Sequence, residues 1–370
     1  MFYWLHQLWG DDSPGFFRLL DSSVFRAIMA LSTALFICLL LYPWLIKKLQ
    51  AKQIGQVVRD DGPESHFKKR GTPTMGGTLL IISALVSCLL WCDLQNPFVW
   101  LTLGITACYT VIGFLDDYWK LRDKSSGGMP EKGKLASQLV TVGVFMWIFF
   151  AYVAPEVHYD MRLHFPFVKP ETFTVELPPW LYAVFASLVI FATSTAVNLT
   201  DGLDGLAIGP TIMSSVTFGI LAYLTGATLF GKPLAGWLLL PQVDGVNELS
   251  ILCAAIAGAS IGFLWYNTFP ALVFMGDVGA LPLGGALGAI AVFTKHEFLS
   301  IIIHGIFVLE FLSVIIQRYS FKLTGKRVFA MAPIHHHFEK KGWPESRVTV
   351  RFWIISIMLS LVAFASLKVR

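Results

Sequence analysis

The chain has 370 residues, of which 55% are hydrophobic and only 14% charged, with a formal net charge of +4. Soluble domains carry roughly 25% charged residues, so the composition excludes an ordinary soluble globular protein and points to an integral membrane protein. A mean hydropathy of +0.64 agrees.

Spanning a bilayer takes about 20 apolar residues per helix. Ten stretches qualify: 24–46, 73–92, 97–115, 136–154, 180–197, 203–225, 249–267, 278–293, 299–317 and 351–368. Lipid-exposed backbone must satisfy its own hydrogen bonds, and these runs lack the alternation of barrel strands. The expected fold is therefore all-α: one polytopic domain over residues 1–370 with about ten membrane helices. The first stretch, capped by Asp21, Ser22 or Ser23, is expected to be an uncleaved anchor. No basic leader or small-residue cleavage site precedes it. Residues 155–179, broken by Pro166 and Pro170, are expected to form a small hairpin. The five cysteines fall inside predicted helices, as small packing residues. GxxxG spacings at Gly258–Gly262 and Gly284–Gly288 allow close helix contact, within the chain first and in a homodimer second.

The loops 47–72, 116–135 and 318–351 hold 20 of the 28 basic residues. Basic loops stay cytoplasmic, which places both termini and the hairpin on the periplasmic side. Four patches at the ends of apolar runs then share the cytoplasmic face: GFLDDYWK (113–120), NLTDGLDG (198–205), FMGDVG (274–279) and PIHHHFE (333–339). Carboxylates, glycines and histidines gathered there suggest a metal-assisted phosphate site.

KRGTPTMGG (69–77) ends a basic loop; Lys69 and Arg70 suit a diphosphate, Thr72 or Thr74 a helix cap, and Pro73 a first turn. Asp116 and Asp117 are expected at the end of the third helix, where the negative macrodipole disfavours them. As adjacent residues they are expected to point apart, one toward metal or substrate. Asn198, Asp201 and Asp204 lie in a short loop before a helix N-terminus, a place that suits phosphate; ordinary turn chemistry is the plainer reading. Asp277, between two glycines, opens the eighth helix and by itself reads as a cap. Phe274 could stack on a base, and Asn267 and Gln317 could read a base edge; core packing explains each as well. The consecutive His335, His336 and His337 point in different directions, unlike spaced zinc ligands, and fit a phosphate-facing or acid–base role. Neither a P-loop nor a dinucleotide fingerprint is present, and no nucleic-acid partner is implied.

GTPTMGG, GFLDDYWK, NLTDGLDGLA, FMGDVG and APIHHHFEKKGWPE occur in the order and spacing of a known family. Over nearly its whole length the chain resembles the phospho-MurNAc-pentapeptide translocases of the polyprenyl-phosphate N-acetylhexosamine-1-phosphate transferase superfamily. Ala280 stands where that family commonly has Ser. The resemblance implies ten helices and a Mg²⁺-dependent transfer in the bacterial inner membrane. Phospho-MurNAc-pentapeptide would pass from its UDP conjugate to undecaprenyl phosphate, a membrane lipid, giving lipid I and UMP. It implies Asp116, Asp117, Asp277 and His335 as catalytic residues, with Asp277 and Asp117 on the metal. It implies substrate contacts from Lys69, Lys120, Lys124, Lys134, Asn198, Asp201, Asp204, Asn267, Phe274, Gln317, His336 and His337. The competing readings are a UDP-GlcNAc transferase, against which the triple histidine argues, and a polytopic transporter. A transporter would place charged groups at midplane, where here only His304 and Glu310 lie.

Overall fold

The computed structural model describes residues 1–9, 17–51, 71–123, 127–169, 172–229 and 232–368. Lys69, Arg70 and Lys124 lie outside them. The described chain is mostly helical. In order, α1 is Phe2–Trp9, α2 Ser23–Ala51, α3 Gly77–Trp91, α4 Pro97–Arg122 and α5 Glu131–Ile148. A π-helical turn, Phe149–Val153, leads from α5 into α6 (Ala154–Glu156). Then follow α7 Pro179–Thr200, α8 Ile208–Gly226, α9 Leu234–Trp237, α10 Leu249–Asn267 and α11 Asp277–Phe293. The last four are α12 Glu297–Ile303, α13 Gly305–Thr324, α14 Ile334–Lys340 and α15 Glu345–Lys368.

Seven of the described helices are long and apolar enough to cross a membrane, or eight if the bent pair α12–α13 counts as one span. The helices α3 and α11 are apolar but shorter. Each of the ten expected stretches thus coincides with helix, though not as drawn. The stretch 299–317 is bent by 87° between Ile303 and Gly305. There His304 leaves helical geometry, and the missing side chain of Gly305 lets Leu359 of α15 approach closely.

The expected hairpin is present: β1 (Arg162–Leu163) pairs antiparallel with β2 (Val175–Glu176). A second two-residue ladder, β3 (Thr228–Leu229) with β4 (Lys232–Pro233), was not anticipated. The cap of α2 is Ser22, whose hydroxyl accepts from Phe25 N at 3.3 Å. Asp21 instead accepts from His6 at 2.9 Å. The cysteines are all free, and all but Cys108 are buried.

The centre of the fold is α11. Every residue from Val278 to Phe293 is buried, as expected of a helix that is apolar all round. Its glycines make this possible. A Cβ at Gly284 would strike Ser194 backbone at 2.5 Å, and one at Gly288 would meet Ile190 of α7 at 2.8 Å. Gly285 sits equally close to Tyr109 of α4, and Gly279 lies against Gly77 of α3. The pair Gly258 and Gly262 on α10 faces Leu31 and Cys38 of α2. Both GxxxG pairs are therefore occupied by helices of the same chain.

Charge is buried at the other end of α11, in the turn that follows it. The ammonium of Lys295 donates to Tyr182 at 2.7 Å and lies 3.1 Å from the Glu297 carboxylate. Tyr182 also donates to Glu297. A second buried pair ties α2 to the start of α10. The guanidinium of Arg26 donates to both Glu248 oxygens, at 2.8 and 2.6 Å.

Candidate active site

The helix α4 does not end at the aspartates; it runs on to Arg122. Asp116 and Asp117 are buried inside it, and the expected clash with a helix C-terminus does not arise. Their partner is one turn on: Lys120 Nζ lies 2.6 Å from Asp116 Oδ2 and 3.5 Å from Asp117 Oδ1. These i,i+4 and i,i+3 spacings favour continued helix.

Nor do the two aspartates point apart. Oxygen atoms of Asp116, Asp117 and Asp277 all lie within 4.8 Å of one another. The reason is the way α11 begins. Its cap position is Gly276, with φ +74°, a conformation that favours glycine. Without a side chain there, the cap is supplied by α4: Asp117 Oδ2 accepts from Val278 N at 3.0 Å. Gly113, one turn earlier on α4, leaves the space in which the Asp277 backbone sits.

Lys120 Nζ reaches Asp277 Oδ2 at 2.9 Å. Lys134 of α5 donates to the same oxygen and lies 3.5 Å from Asp116 Oδ2. Lys132, two residues earlier on α5, is exposed and takes no part. Asn198, near the end of α7, donates to Asp277 Oδ1 at 2.6 Å. Asp116 Oδ1 accepts from Met129 N at 2.8 Å, so the 127–130 segment closes over α4. Helices α4, α5 and α11 thus place three carboxylates and two ammonium groups together, with the Asn198 amide of α7 beside them and a formal excess of one negative charge. Such a cluster is costly at a membrane helix end without a further cation. Three hard oxygen donors suit Mg²⁺ better than a soft metal.

Asp201 follows α7 directly. Burial, reinforced by the charges of Asp277 and Asp117, pushes its carboxyl up to about 8. A hydrogen bond from Gly276 opposes the shift without cancelling it. Asp201 is therefore mostly protonated at neutral pH, a donor on the edge of the cluster.

Other expected contacts prove to be architectural. Asp204 is buried; its Oδ2 accepts from Ala271 N at 2.9 Å, and its own N–H donates to Glu345 at 2.7 Å. Asn267 accepts from Gly205 N at 3.0 Å and donates to Val273 O at 2.9 Å, tying that turn to the segment before α11. Gln317 donates to Phe329 O at 2.9 Å and accepts from Val328 N and Phe329 N at 3.0 and 2.9 Å. These amides are spent on backbone, leaving little for a base edge. Phe274 is partly buried in a short backbone pairing with Pro73 and Gly76, at 2.8 Å each way. That pairing, with Met75 at φ +68°, delays the start of α3 to Gly77, so Pro73 is not in a first turn.

The three histidines of α14 meet different partners, although the ring centres of His335 and His336 lie only 4.1 Å apart. His335 is buried, with Nδ1 3.1 Å from Glu310 Oε1 on α13. His336 contacts Glu339 at 2.7 Å, and His337 Nδ1 accepts from Ala330 N at 3.0 Å. Of the residues named from sequence, one cluster unites Asp116, Asp117, Asp277, Lys120, Lys134 and Asn198, with Asp201 at its edge. Glu310 and Met129 were missed as contributors. An acid inside an apolar run signals the first, whereas a backbone amide carries no sequence signal.

Comparison with known proteins shows the family. The model of glycosyl transferase family 4 matches residues 99–295, and a phospho-N-acetylmuramoyl-pentapeptide-transferase signature matches residues 69–81. A phospho-N-acetylmuramoyl-pentapeptide-transferase of Sorangium cellulosum is 54% identical over 350 residues, covering 94% of this chain and 93% of that protein. One from Anaeromyxobacter sp. (strain K) is 50% identical over 358 residues, covering 94% of each. With the site resting on the matched segments, the chain belongs to glycosyl transferase family 4 and, within it, to the membrane-embedded phospho-N-acetylmuramoyl-pentapeptide-transferases, which are phosphosugar transferases.

Proposed function

We propose that this protein transfers phospho-MurNAc-pentapeptide from UDP-MurNAc-pentapeptide to undecaprenyl phosphate, forming lipid I and releasing UMP. The reaction takes place in the bacterial inner membrane, with ten spans, both termini periplasmic and the site open to the cytoplasm. The observation that carries this reading is the triad of carboxylates within 4.8 Å at the start of the enclosed helix α11. Phosphoryl transfer depends on charge neutralisation and alignment, and this cluster offers both.

Asp277 and Asp117, with Asp116 beside them, would hold Mg²⁺. That ion would neutralise the diphosphate and act as a Lewis acid toward the leaving UMP. Asp117 is fixed by its hydrogen bond from Val278, and Asn198 orients Asp277. Lys120 and Lys134, released from the carboxylates by the metal's charge, would turn to the phosphates. Lys69 and Lys124 are further phosphate contacts in this reading. Asp201, protonated at neutral pH, would donate a hydrogen bond instead of repelling the nucleotide.

A lipid phosphate oxygen attacks the β-phosphorus; its new P–O bond forms as the bond to the bridging oxygen breaks, and that electron pair leaves with UMP. On the outer side of α4, Val111, Phe114, Leu115 and Tyr118 are exposed at helical spacing. This apolar stripe lies one helix width from the carboxylates, as a lipid chain requires.

The test is UMP release by the purified chain with undecaprenyl phosphate and Mg²⁺, offered UDP-MurNAc-pentapeptide or UDP-GlcNAc. Release with the muramyl substrate alone supports the assignment. Release with UDP-GlcNAc moves the chain to the sister activity, and none with either removes the assignment. Inversion at phosphorus is expected; net retention would favour a phospho-enzyme on Asp116 or Asp117.

A further inference from the structure

Glu310 is a carboxylate in the middle of an apolar helix, with no exposed surface. A buried acid of this kind is expensive and marks a function by default. Among the described residues neither of its oxygens has a partner in hydrogen-bond geometry, and the nearest group that can carry charge is His335 Nδ1, 3.1 Å from Oε1. The two residues are 25 positions apart and on different helices, α13 and α14, which pack against each other. His335 is only 1% exposed. Neither of its ring nitrogens has a hydrogen-bond partner among the described residues, Nε2 included. That nitrogen faces Gly202, in the turn between Asp201 and Asp204; a Cβ at 202 would collide with it. Carboxylate, imidazole and acidic turn therefore stand in line.

We propose that Glu310 is a positioning residue for the reaction: from within the membrane helix it holds a proton on His335 Nδ1 and turns Nε2 toward the Asp201 turn. A carboxylate on one ring nitrogen fixes which tautomer and orientation the other presents. The line of contacts gives the buried acid a task that packing does not. An apolar side chain would fill the same space in α13 at lower cost. The glycine at 202 has the same origin, since any larger residue would displace the ring. This inference rests on the transferase reading, in which His335 meets substrate.

The test uses the full chain purified in detergent and follows UMP release. Loss of an orienting partner of this kind typically costs about 10- to 100-fold. Glu310→Leu should lower kcat at least about tenfold with KM for the nucleotide within about twofold. Glu310→Met serves as a second apolar variant if the first does not purify. Glu310→Gln, whose amide oxygen can accept the same Nδ1 proton, should recover most of the loss. In a His335→Gln background the apolar change should have almost no further effect, because coupled residues are non-additive. A structural role predicts the reverse: Leu at least as good as Gln, and the same loss in both backgrounds. Either result overturns the proposal. Histidine ring nitrogen NMR, with His335→Gln identifying the signal, should show a protonated Nδ1 that Glu310→Leu removes. An unchanged ring spectrum refutes it. If the wild-type chain releases no UMP, the transferase reading fails, and the ring spectrum still decides whether Glu310 holds His335.

Discussion

Replacing Gly113 by alanine probes how closely the site depends on helix contact. The new Cβ would lie 2.2 Å from the Asp277 carbonyl oxygen, 2.5 Å from its carbon and 2.7 Å from Val278 N. Ordinary contact begins near 3.4 Å, so to clear the carbonyl oxygen α4 and α11 must part by about 1.2 Å. The obstacle is backbone on both sides, and no rotamer relieves it. The hydrogen bond from Val278 to Asp117, now 3.0 Å, would stretch to about 4.2 Å and cease to be one. Overpacking of this size costs roughly 1–3 kcal/mol, which a membrane domain can absorb without unfolding. Catalysis is less tolerant: a misplacement near 1 Å can cost about 100-fold. Gly113→Ala should therefore lose about 100-fold in kcat while melting within several degrees of wild type. Gly143→Ala is the control, because nothing lies within 4 Å of its would-be Cβ. Steady-state UMP release and a thermal melt read both. Activity within threefold of wild type in Gly113→Ala would refute the idea that this contact sets the geometry of the carboxylates.

Three other outcomes are expected. Asp277→Asn removes one of three negative charges from the cluster and should abolish detectable UMP release; with chelator present, wild type should behave likewise. Retained activity in either case would remove the metal from the scheme. Burial holds the Asp201 carboxyl at about 8 in the fold, against an ordinary value of 3.8. Its contribution is thus fully present below about pH 4 and lost as pH rises through 8. In metal-free buffer Asp201→Asn should gain thermal stability over wild type progressively between pH 5 and 8.5; a pH-independent difference would contradict this. Arg26→Met leaves the buried Glu248 carboxylate unpaired and should cost about 3–5 kcal/mol in denaturant unfolding. Arg26→Met with Glu248→Leu should recover most of it, and a double variant no better than the single would show that the ion pair is not the issue.

Much of this was readable from residue order because a membrane protein tolerates few charges. The aspartates at 116, 117 and 277 stood out against apolar surroundings, and their placement on one face followed from counting spans, although the turning of 116 and 117 toward one point did not. The glycines at 284 and 288 likewise announced close helix contact. What escaped were interactions set by distant backbone. The amides of Asn267 and Gln317 look free in sequence, yet Gly205 and Val273, and the 328–329 segment, consume them. The start of α3 was misplaced because the pairing of Pro73 with Phe274 spans 201 residues of sequence. The bend at His304 was hidden because both halves of that stretch are apolar, and hydropathy carries no record of direction. Helix α4 was cut short because two aspartates read as an exit from the membrane, while Lys120 of the same helix pairs with both.

The enclosure of α11 has a mechanical meaning for a protein that works in a changing bilayer. At 17 residues it is about 25 Å long, and protein surrounds it on every side. Shifts in lipid thickness or tension act first on the outward faces of helices such as α2 and α15, where Leu40 and Leu361 are largely exposed. They reach α11 only after passing through a close-packed shell. The helix is in effect a fixed post inside a deformable wall, and Asp277 is mounted on its end. Delivery of a lipid substrate should therefore follow the state of the membrane, while the spacing of the carboxylates should not.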